Sequence, residues 1–416
     1  MKTRKWRKHK LSEVADLCLG KMLDKKKNKG ELHPYLGNIH VRWGRFNLED
    51  LPEMRFEKHE HDRYGLKSGD LVVCEGGEPG RCALWKGQVP GMKIQKALHR
   101  VRPHKSLDGN YLLYWFLHAG QRNYFDQYST GATIKHLPGE KLAKIEIDVP
   151  DLPTQKKIAG ILSAYDDLIE NNLRRIAILE EMAQSLYREW FVHFRIPSEV
   201  LAQAGLPAEL KLVDSELGKI PAGWEVKKLI DVTSKIGSGA TPKGGKDAYK
   251  SEGISLIRSL NIFDYQFKHE NLARIDEKQA AKLSNVIVEV NDVLLNITGA
   301  SVARCSMVPP AVLPARVNQH VAIIRASPES DPFYILDTIN SEERKRQILS
   351  LAQGGATREA LTKTTIENLE IVMPSETVLQ AFSKIRKNLF DQCQILDQKN
   401  QNLRKTRDLL LSKLLS

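Results

Sequence analysis

Apolar residues along this chain follow two different periods, and the alternation between these periods defines its organisation. In the first 150 residues, short apolar runs such as Leu71–Cys74 and Ile145–Val149 stand between turn signals, which predicts strands. Around Tyr111–Asn123 the apolar positions predict one amphipathic helix. Residues 153–193 carry apolar residues alternately three and four positions apart, which is typical of a coiled-coil helix. Thr154 is the predicted N-cap of this long helix.

The whole pattern occurs a second time along the chain. Gly131-Ala132-Thr133 returns as Gly355-Ala356-Thr357 at an offset of 224 residues, and a long helical pattern follows each copy. Two similar halves can pack about a pseudo-twofold axis, and duplex DNA is the commonest twofold partner. The duplication therefore predicts two readers of half-sites, the alternative being a repeat kept only for stability. Further matches pair Trp6 with Trp224, Asn38-Ile39 with Asn261-Ile262, Asp70 with Asp292, Arg81-Cys82 with Arg304-Cys305, and Tyr111 with Tyr334.

This organisation predicts an α+β fold with an internal repeat. Two α/β units are separated by two long helices, which form an antiparallel coiled coil about the pseudo-twofold axis. The predicted segments are a first recognition domain (residues 1–150), a central helix (151–195), a linker (196–222), a second recognition domain (223–374) and a C-terminal helix (375–416).

Each helical seam carries a central asparagine, Asn172 in the first helix and Asn400 in the second. In an antiparallel pair the numbers of facing residues add up to a constant, and a constant of 572 pairs these two asparagines. A polar pair inside an apolar seam costs stability but specifies the register. We therefore predict that the two asparagine side chains face each other.

Composition favours a binding protein with a polyanionic partner. The 416 residues include 63 Lys and Arg against 51 Asp and Glu, which gives a net charge of +12. No apolar run is long enough to span a membrane, and the basic N-terminus lacks the apolar core of a signal peptide. The five scattered cysteines form no metal-binding spacing, which predicts reduced thiols in a cytoplasmic protein without a metal site.

Motifs of catalysis are absent from the sequence. There is no phosphate-binding GxxxxGK[ST] loop, no GxGxxG after a strand, no HExxH pair and no Asn-Pro-Pro-Tyr or Asp-Pro-Pro-Tyr tetrapeptide. The chain is therefore predicted to bind a partner without catalysing a reaction. The alternatives are an RNA-binding or tethering structural protein, and an independent nuclease or methyltransferase. Against the RNA alternative, aromatic residues make up only 7% of the chain and are not clustered on the predicted strands.

Two segments resemble the specificity subunits of type I restriction–modification enzymes. GKIPAGWEVKKLIDV (218–232) is similar to the entry of a target-recognition domain of that family. VPDLPTQKKIAGILSAYDDLIENNLRRIAILEEMAQSLYREWFVHF (149–194) is similar to the family's central conserved helix. One departure is Thr154-Gln155 after Pro153, where the family often has Glu-Gln after two prolines. The resemblance covers essentially the whole chain, because the order of recognition domain and helix occurs twice along it.

The resemblance implies a non-catalytic DNA reader that belongs to a type I site-specific deoxyribonuclease and adenine methyltransferase complex. Its two target-recognition domains would each read one half of a bipartite, asymmetric site in double-stranded DNA. Two modification subunits would bring S-adenosylmethionine and methylate adenine N6. Two restriction subunits, where present, would bring ATP and Mg²⁺ for translocation and cleavage. This chain itself would bind no cofactor and would act in the prokaryotic cytoplasm.

Candidate base readers are Arg, Lys, Asn, Gln and Thr in loop-like segments, because long polar side chains can reach base edges. For candidates at positions that match between the two copies of the repeat, a structural role is the alternative, because residues that read different half-sites should differ. Near one end of the central helix stand three large aromatic residues, Tyr187, Trp190 and Phe191. They are more than the contact between two helices requires. We predict that they dock a modification subunit, with packing onto a recognition domain as the alternative. The candidate readers are Arg42, Arg45, Lys93, Gln95, Lys96, Thr133 and Lys135 in the first domain, and Lys243, Lys246, Arg258, Asn261, Gln319, Thr357 and Arg358 in the second.

Overall fold

Contacts within the chain divide it into two compact units. The computed structural model describes residues 6–22, 24, 28–131, 135–242, 244, 248–353 and 359–415. The first unit comprises residues 1–171 and 399–416, and the second comprises residues 172–398. Each unit therefore holds one α/β part together with a portion of both long helices. The predicted domain boundaries, which treat each long helix as a separate segment, stay a prediction.

The first unit begins with strands and short helices and ends in a long helix. The strands and helix predicted from the apolar pattern are confirmed to within two residues at each end. Its strands are β1 Arg7–Lys10, β2 Ala15–Leu19, β3 Glu31–Leu36, β4 Val41–Arg42, β5 Arg45–Phe46, β6 Glu53–Phe56, β7 Leu71–Cys74, β8 Cys82–Leu84, β9 Lys93–Ile94, β10 Leu98–Pro103 and β11 Glu146–Val149. Its helices are α1 Leu11–Val14, α2 His61–Tyr64, α3 Gly109–Gln121, α4 Gly139–Leu142 and the first part of α5, Leu152–Tyr187.

A four-stranded antiparallel sheet in the order β2-β10-β7-β8 forms the centre of the first unit. Leu71 and Val73 of β7 face one hydrophobic core with α3, whereas Val72 and Cys74 face a second core. Because both faces of β7 are covered, its sequence is a continuous apolar run instead of an alternating one. The hydroxyl of Tyr111 in α3 donates to the carbonyl oxygen of Asp148 over 2.6 Å, which fastens the helix to β11.

The second unit repeats the central sheet of the first. A four-stranded sheet in the order β15-β22-β19-β20 corresponds to the central sheet of the first unit. Its strands are β12 Leu212–Ser215, β13 Gly218–Pro221, β14 Glu225–Lys228, β15 Thr233–Ser238, β16 Ile254–Ile257, β17 Ala273–Ile275, β18 Ile287–Val288, β19 Val293–Asn296, β20 Cys305–Met307, β21 Ala315–Val317, β22 Val321–Ala326 and β23 Glu370–Met373. Its helices are the last part of α5, α6 Ser198–Gln203, α7 Glu277–Ala281, α8 Pro332–Asn340, α9 Glu342–Gln353, α10 Lys363–Glu367 and the first part of α11, Glu376–Leu415. The predicted α+β fold with a duplicated unit is therefore confirmed.

The segment predicted as a linker, residues 196–222, folds onto the second unit. It contains α6 and the β12–β13 hairpin, whose strands pair from Leu212–Pro221 to Ser215–Gly218. Leu201 and Ile220 are buried in the core of the unit. Two buried apolar side chains show why this segment is ordered although its composition is typical of a linker.

A buried ion pair occurs at the same place in both units. Arg102 donates to both carboxylate oxygens of Asp70 over 2.7 Å, and Arg325 donates to those of Asp292 over 2.7 and 2.9 Å. The two aspartates are 1% and 0% exposed. Each also accepts a hydrogen bond from the backbone N–H three residues before it. Paired charges and satisfied lone pairs make such a buried carboxylate tolerable, and both units rely on this device to hold β7 to β10 or β19 to β22.

Hydrogen bonds also correct one pair in the sequence repeat. Asn261, which the sequence match pairs with Asn38, corresponds instead to His40. The His40 imidazole accepts from the N–H of Gly37 over 2.8 Å, and the Asn261 amide oxygen accepts from the N–H of Arg258 over 3.1 Å. Both side chains close the same three-residue turn from inside the protein.

The two long helices begin close to their predicted first residues. The N-cap of α5 is Asp151 and not Thr154, because the Asp151 carboxylate accepts from the N–H of Thr154 over 2.8 Å. A π-helical turn, Arg188–Val192, follows α5. No helix in the described ranges is long and apolar enough to cross a membrane.

Contacts between α5 and α11 follow the predicted antiparallel order. In the second unit, burial and the nearby Glu180 charge raise the pKa of the Cys393 thiol, and the ring centroids of Tyr187 and Phe382 lie 6.4 Å apart. Rising residue numbers in α5 therefore meet falling numbers in α11. The contact of Asn172 with Asn400 stays a prediction, because these residues belong to different units.

Candidate nucleic-acid interface

A cavity of about 410 Å³ lies at one edge of the central sheet of the first unit. One wall is the turn after β7, Glu75–Gly77, and another is the segment between β9 and β10, Gln95–Ala97. The N–H of Glu75 donates to the carbonyl oxygen of Ala97 over 2.9 Å, which joins the two walls. Met22, Asn38 and His136 complete the lining. The sheet thus brings together residues that lie more than a hundred positions apart in the chain.

The wall between β9 and β10 is a tight turn with an unusual backbone. The N–H of Leu98 donates to the carbonyl oxygen of Gln95 over 3.1 Å and closes the turn. Ala97 has a φ of 90°, a conformation that normally requires glycine and costs an alanine about 1–2 kcal/mol. Backbone strain of this kind concentrates at binding sites, because the surrounding structure must hold it in place. The turn presents the side chains of Gln95 and Lys96 at the cavity.

The polar side chains around the cavity fall into two groups. Asn38 and Arg81 brace the structure: the Asn38 amide donates to the carbonyl oxygen of Gly76 over 3.2 Å, and Arg81 donates to the carbonyl oxygen of Asn38 over 3.0 Å. A second group makes no side-chain hydrogen bond to another residue of the described ranges. Free donors and acceptors that converge on a concave surface suit a ligand with hydrogen-bonding groups of its own. This second group consists of Glu75, Gln95, Lys96 and His136.

Backbone hydrogen bonds locate the equivalent place in the second unit. The N–H of Ile297 donates to the carbonyl oxygen of His320 over 3.0 Å, just as Glu75 donates to Ala97. The N–H of Asn318 donates to a β16 carbonyl, as that of Gln95 donates to a β3 carbonyl. The equivalent residues are therefore Ile297 for Glu75, Thr298 for Gly76, Asn318 for Gln95, Gln319 for Lys96, His320 for Ala97 and Ala360 for His136.

The side chains at this second place form a neutral chain of hydrogen bonds. The Gln319 amide nitrogen lies 2.9 Å from His320 Nε2, and His320 Nδ1 lies 2.5 Å from the Thr298 hydroxyl. Since the amide nitrogen can only donate, the imidazole accepts at Nε2 and carries its proton at Nδ1. The amide oxygen of Gln319 has no partner among the residues that the structure describes. No charged side chain takes part in this chain, unlike the free Glu75 and Lys96 of the first unit.

The structure brings only some of the predicted readers of the first domain together. Gln95 and Lys96 line the cavity. Arg42 and Arg45 are both exposed and face each other across the β4–β5 hairpin. Lys135 is exposed but donates to the Asp126 carboxylate over 2.7 Å, in a surface ion pair of small energetic weight. Thr133 lies outside the described residues.

Lys93 is a correction to the predicted set. Its side chain is only 4% exposed and its ammonium group lies 3.4 Å from the carbonyl oxygen of His61. Burial lowers the pKa of Lys93, against a raising effect of Asp62. The prediction that Lys93 contacts DNA is wrong for this structure, because its charge faces the interior of the unit.

In the second domain, Asn261 is also a correction. It is fully buried, and its amide donates to the carbonyl oxygens of Lys268 over 2.9 Å and Glu270 over 3.3 Å. Its three hydrogen bonds hold a turn, so it cannot reach a base. Arg258 is half-buried, donates to the carbonyl oxygen of Asn271 and lies 5.1 Å from the Tyr249 ring. Gln319 lies at the equivalent of the cavity wall, and Lys243, Lys246, Thr357 and Arg358 fall outside the described residues.

Tyr187, Trp190 and Phe191 do not form a docking surface. They are 8%, 3% and 8% exposed and belong to the hydrophobic core of the second unit. The rings of Phe191 and Tyr334 lie 4.8 Å apart with an edge-to-face geometry, and the Tyr187 hydroxyl lies 3.2 Å from that of Thr338. The alternative of packing onto a recognition domain is therefore correct, and the docking prediction is wrong.

One group of side chains has the composition of a cation site. Glu31, His33 and His61 place one possible ligand atom each within 4.8 Å of one another. Burial is the main cause that lowers the pKa of His33, followed by the positive charge of Lys93. That ammonium group also opposes a bound cation. The sequence did not reveal the group, because its histidines lie 28 positions apart and meet only through folding.

Glu75, His136, Thr298 and His320 are site residues that the sequence prediction missed. Glu75 and Thr298 follow the buried strands that the repeat reveals, and His136 adjoins the Gly-Ala-Thr segment. A comparison of the two copies for positions that differ inside well-matched segments could have found them. The prediction gave weight to matching positions, and matching positions in this chain are mainly structural.

Comparisons with known proteins agree with the duplicated architecture. A family model described as the type I restriction modification DNA specificity domain matches residues 3–181. The type I restriction enzyme MjaIX specificity subunit of Methanocaldococcus jannaschii is 30% identical over 355 residues, which cover 83% of this chain and 76% of that protein. The HindI specificity subunit of Haemophilus influenzae is 21% identical and covers 89% of both chains.

A solved structure shows the same fold. The crystal structure of a type I restriction–modification S subunit from M. genitalium has a TM-score of 0.57 and 16% sequence identity, with 100% of this chain and 97% of that chain covered. These comparisons do not support the alternative of an RNA-binding protein. Among the described residues, Trp43 is also the only exposed aromatic side chain, whereas single-strand readers stack bases on several.

Proposed function

Because this chain belongs to the type I restriction enzyme specificity subunits, we propose that it reads a bipartite, asymmetric DNA sequence with one unit on each half-site. A specificity subunit recognises DNA and is not itself catalytic. One observation carries the proposal: two units of the same topology present different side chains at equivalent places. Identical readers would select two like half-sites, whereas different readers select two unlike ones.

The chemistry of the proposed complex belongs to partner subunits. Two modification subunits would bind S-adenosylmethionine and methylate adenine N6 at the site that this chain selects. Up to two restriction subunits would use ATP and Mg²⁺ for translocation and cleavage. The complex would act in the prokaryotic cytoplasm, where host DNA is accessible to it.

The charge of the chain supports duplex DNA as its ligand. The net charge is +12, and lysines and arginines that neutralise phosphates release bound counterions. The exposed Arg42 and Arg45 on the β4–β5 hairpin are suited to phosphate contacts, because a short hairpin can approach the backbone without entering a groove. Such contacts would position the first unit on the duplex, while side chains at the cavity would read sequence.

The decisive experiment is single-molecule sequencing of N6-methyladenine in host DNA with and without this gene. We expect one methylated motif to disappear with the gene, and that motif should consist of two unlike halves separated by an unread spacer. Supplying the chain with its modification subunits in a host that lacks the motif should create it. A continuous motif, or a motif with identical halves, would contradict the proposal, and so would methylation by the purified chain alone.

A further inference from the structure

The two units differ at the cavity and agree in the scaffold that carries it. The buried Asp70–Arg102 pair has its counterpart in Asp292–Arg325, and Gly77 has its counterpart in Gly299, both with positive φ. At the cavity itself the side chains change between the units, and only the amide of Gln95 is retained, in the shorter Asn318. Glu75 becomes Ile297, Gln95 becomes Asn318, Lys96 becomes Gln319, Ala97 becomes His320 and His136 becomes Ala360. Constant support with variable polar groups is the arrangement expected of residues that determine specificity.

We propose that the cavity of the first unit binds the edge of a G·C base pair, with Lys96 on guanine and Glu75 on cytosine. The proposal rests on the proposed function and adds to it the residues and the base pair that they select. It concerns side chains of the first unit alone, so it does not depend on the arrangement of the two units.

The hydrogen-bonding groups of these two side chains match one base pair. In the major groove, guanine presents two acceptors, N7 and O6, and cytosine presents one donor, the N4 amino group. A lysine ammonium group has only donors, and an ionised glutamate has only acceptors. Lys96 is exposed and Glu75 is half-buried, and neither makes a side-chain hydrogen bond to another described residue. An A·T pair in the same orientation would oppose the adenine N6 donor to Lys96 and the thymine O4 acceptor to Glu75. The reversed T·A pair opposes neither group, but its thymine offers Lys96 only one acceptor, O4, where guanine offers two.

The second unit supplies a natural contrast. At the equivalent positions it has Ile297 and Gln319, so both charges are missing. A glutamine amide both donates and accepts, which suits adenine N7 and N6. Replacing Lys96 by glutamine therefore introduces the residue that the second unit already has at the equivalent position, and it should leave the fold intact.

The test is the methylated motif of cells that express the full chain with its modification subunits. Lys96→Ala and Glu75→Gln should each relax the same base pair in one half-site, with a loss of discrimination of roughly 10- to 100-fold. The double variant Lys96→Gln/Glu75→Ile should shift the preference at that position from G·C toward A·T, because it also removes the carboxylate that would oppose thymine O4. Lys105→Ala is the matched control, because Lys105 is an exposed lysine beyond the opposite end of β10 from the cavity. It should leave the motif unchanged.

Three results would overturn the proposal. The first is an unchanged motif in Lys96→Ala and Glu75→Gln at wild-type affinity. The second is relaxation of two different base pairs by the two variants. The third is a uniform loss of affinity for all sequences in Lys96→Ala, which would make Lys96 a phosphate contact. In each of these cases the wild-type chain would still direct methylation to a bipartite motif, so the proposed function would stand.

Discussion

Replacing Arg386 by methionine should destabilise the second unit by an amount that grows with pH. Arg386 donates two hydrogen bonds to the Asp337 carboxylate, over 2.9 and 3.2 Å, and the two side chains are 5% and 0% exposed. Burial raises the pKa of Asp337 to about 6, although Arg386 lowers it. Without the guanidinium group the same burial acts unopposed, so the pKa of Asp337 should rise well above 6.

The magnitude follows from the linkage between protonation and folding. An unfolded aspartate has a pKa of about 3.9. In the wild-type protein the raised pKa stabilises the fold fully below about pH 4, and this contribution is lost as pH rises to about 6. In Arg386→Met the loss continues above pH 6, because the folded carboxyl group still holds its proton. Each pH unit below the new pKa then changes the folding equilibrium about tenfold, so the added deficit between pH 6 and pH 8 is at most about 3 kcal/mol.

Urea unfolding at pH 6, 7 and 8 measures this deficit as the difference in unfolding free energy between variant and wild type. Arg346→Met is the control, because Arg346 is exposed and lies 3.8 Å from Glu342 in a surface pair worth less than about 1 kcal/mol. Adding Asp337→Asn to Arg386→Met should abolish the pH dependence by removing the titrating group. A deficit of equal size at pH 6 and pH 8 would refute the reasoning.

Three further outcomes are expected. Trp190→Ala should lower the free energy of unfolding by about 3–5 kcal/mol, and Val192→Ala, at a position 48% exposed, by less than about 0.5 kcal/mol; equal losses would contradict a core position for Trp190. The double variant Arg42→Ala/Arg45→Ala should weaken binding to all duplexes alike and reduce the salt slope by about 2, whereas an altered methylated motif would contradict phosphate contacts. Gly20→Ala should weaken DNA binding measured by fluorescence polarisation, because the added Cβ would lie 2.4 Å from a backbone oxygen of the cavity wall, and wild-type affinity would count against the cavity.

The duplication predicts the shared scaffold well, for a physical reason. Residues such as Cys82 and Cys305 are fully buried at equivalent points, where a change of volume is costly in either copy. Tyr111 and Tyr334 both donate their hydroxyl to a carbonyl oxygen of the last strand of their unit. Buried positions therefore retain the signal of the repeat, and the repeat in turn locates the strands.

The same reasoning explains why the binding residues were harder to predict. Asn261 has the side chain of a base reader, but its amide is fully satisfied inside a turn, and residue type alone does not reveal burial. Trp190 lies at the end of a helical apolar pattern. The residue that it packs against, Phe382, lies about 190 residues further along the chain. Glu75 and His136 meet only when strands from distant segments pair. In each case the deciding information is a tertiary contact and not a local pattern.

The separation between cavity and scaffold has a consequence for evolution. Lys96 lies at the surface, where substitutions usually change stability by no more than about 0.5 kcal/mol. Asp70 and Arg102 form an ion pair at the other end of β7 and β10, where loss of the arginine would leave a buried carboxylate without its counter-charge. Natural selection can therefore explore new target sequences at little risk to folding, while lineages that alter the buried pair are removed. A population under attack by changing DNA parasites would gain diversity from the few positions at which this protein can vary most safely.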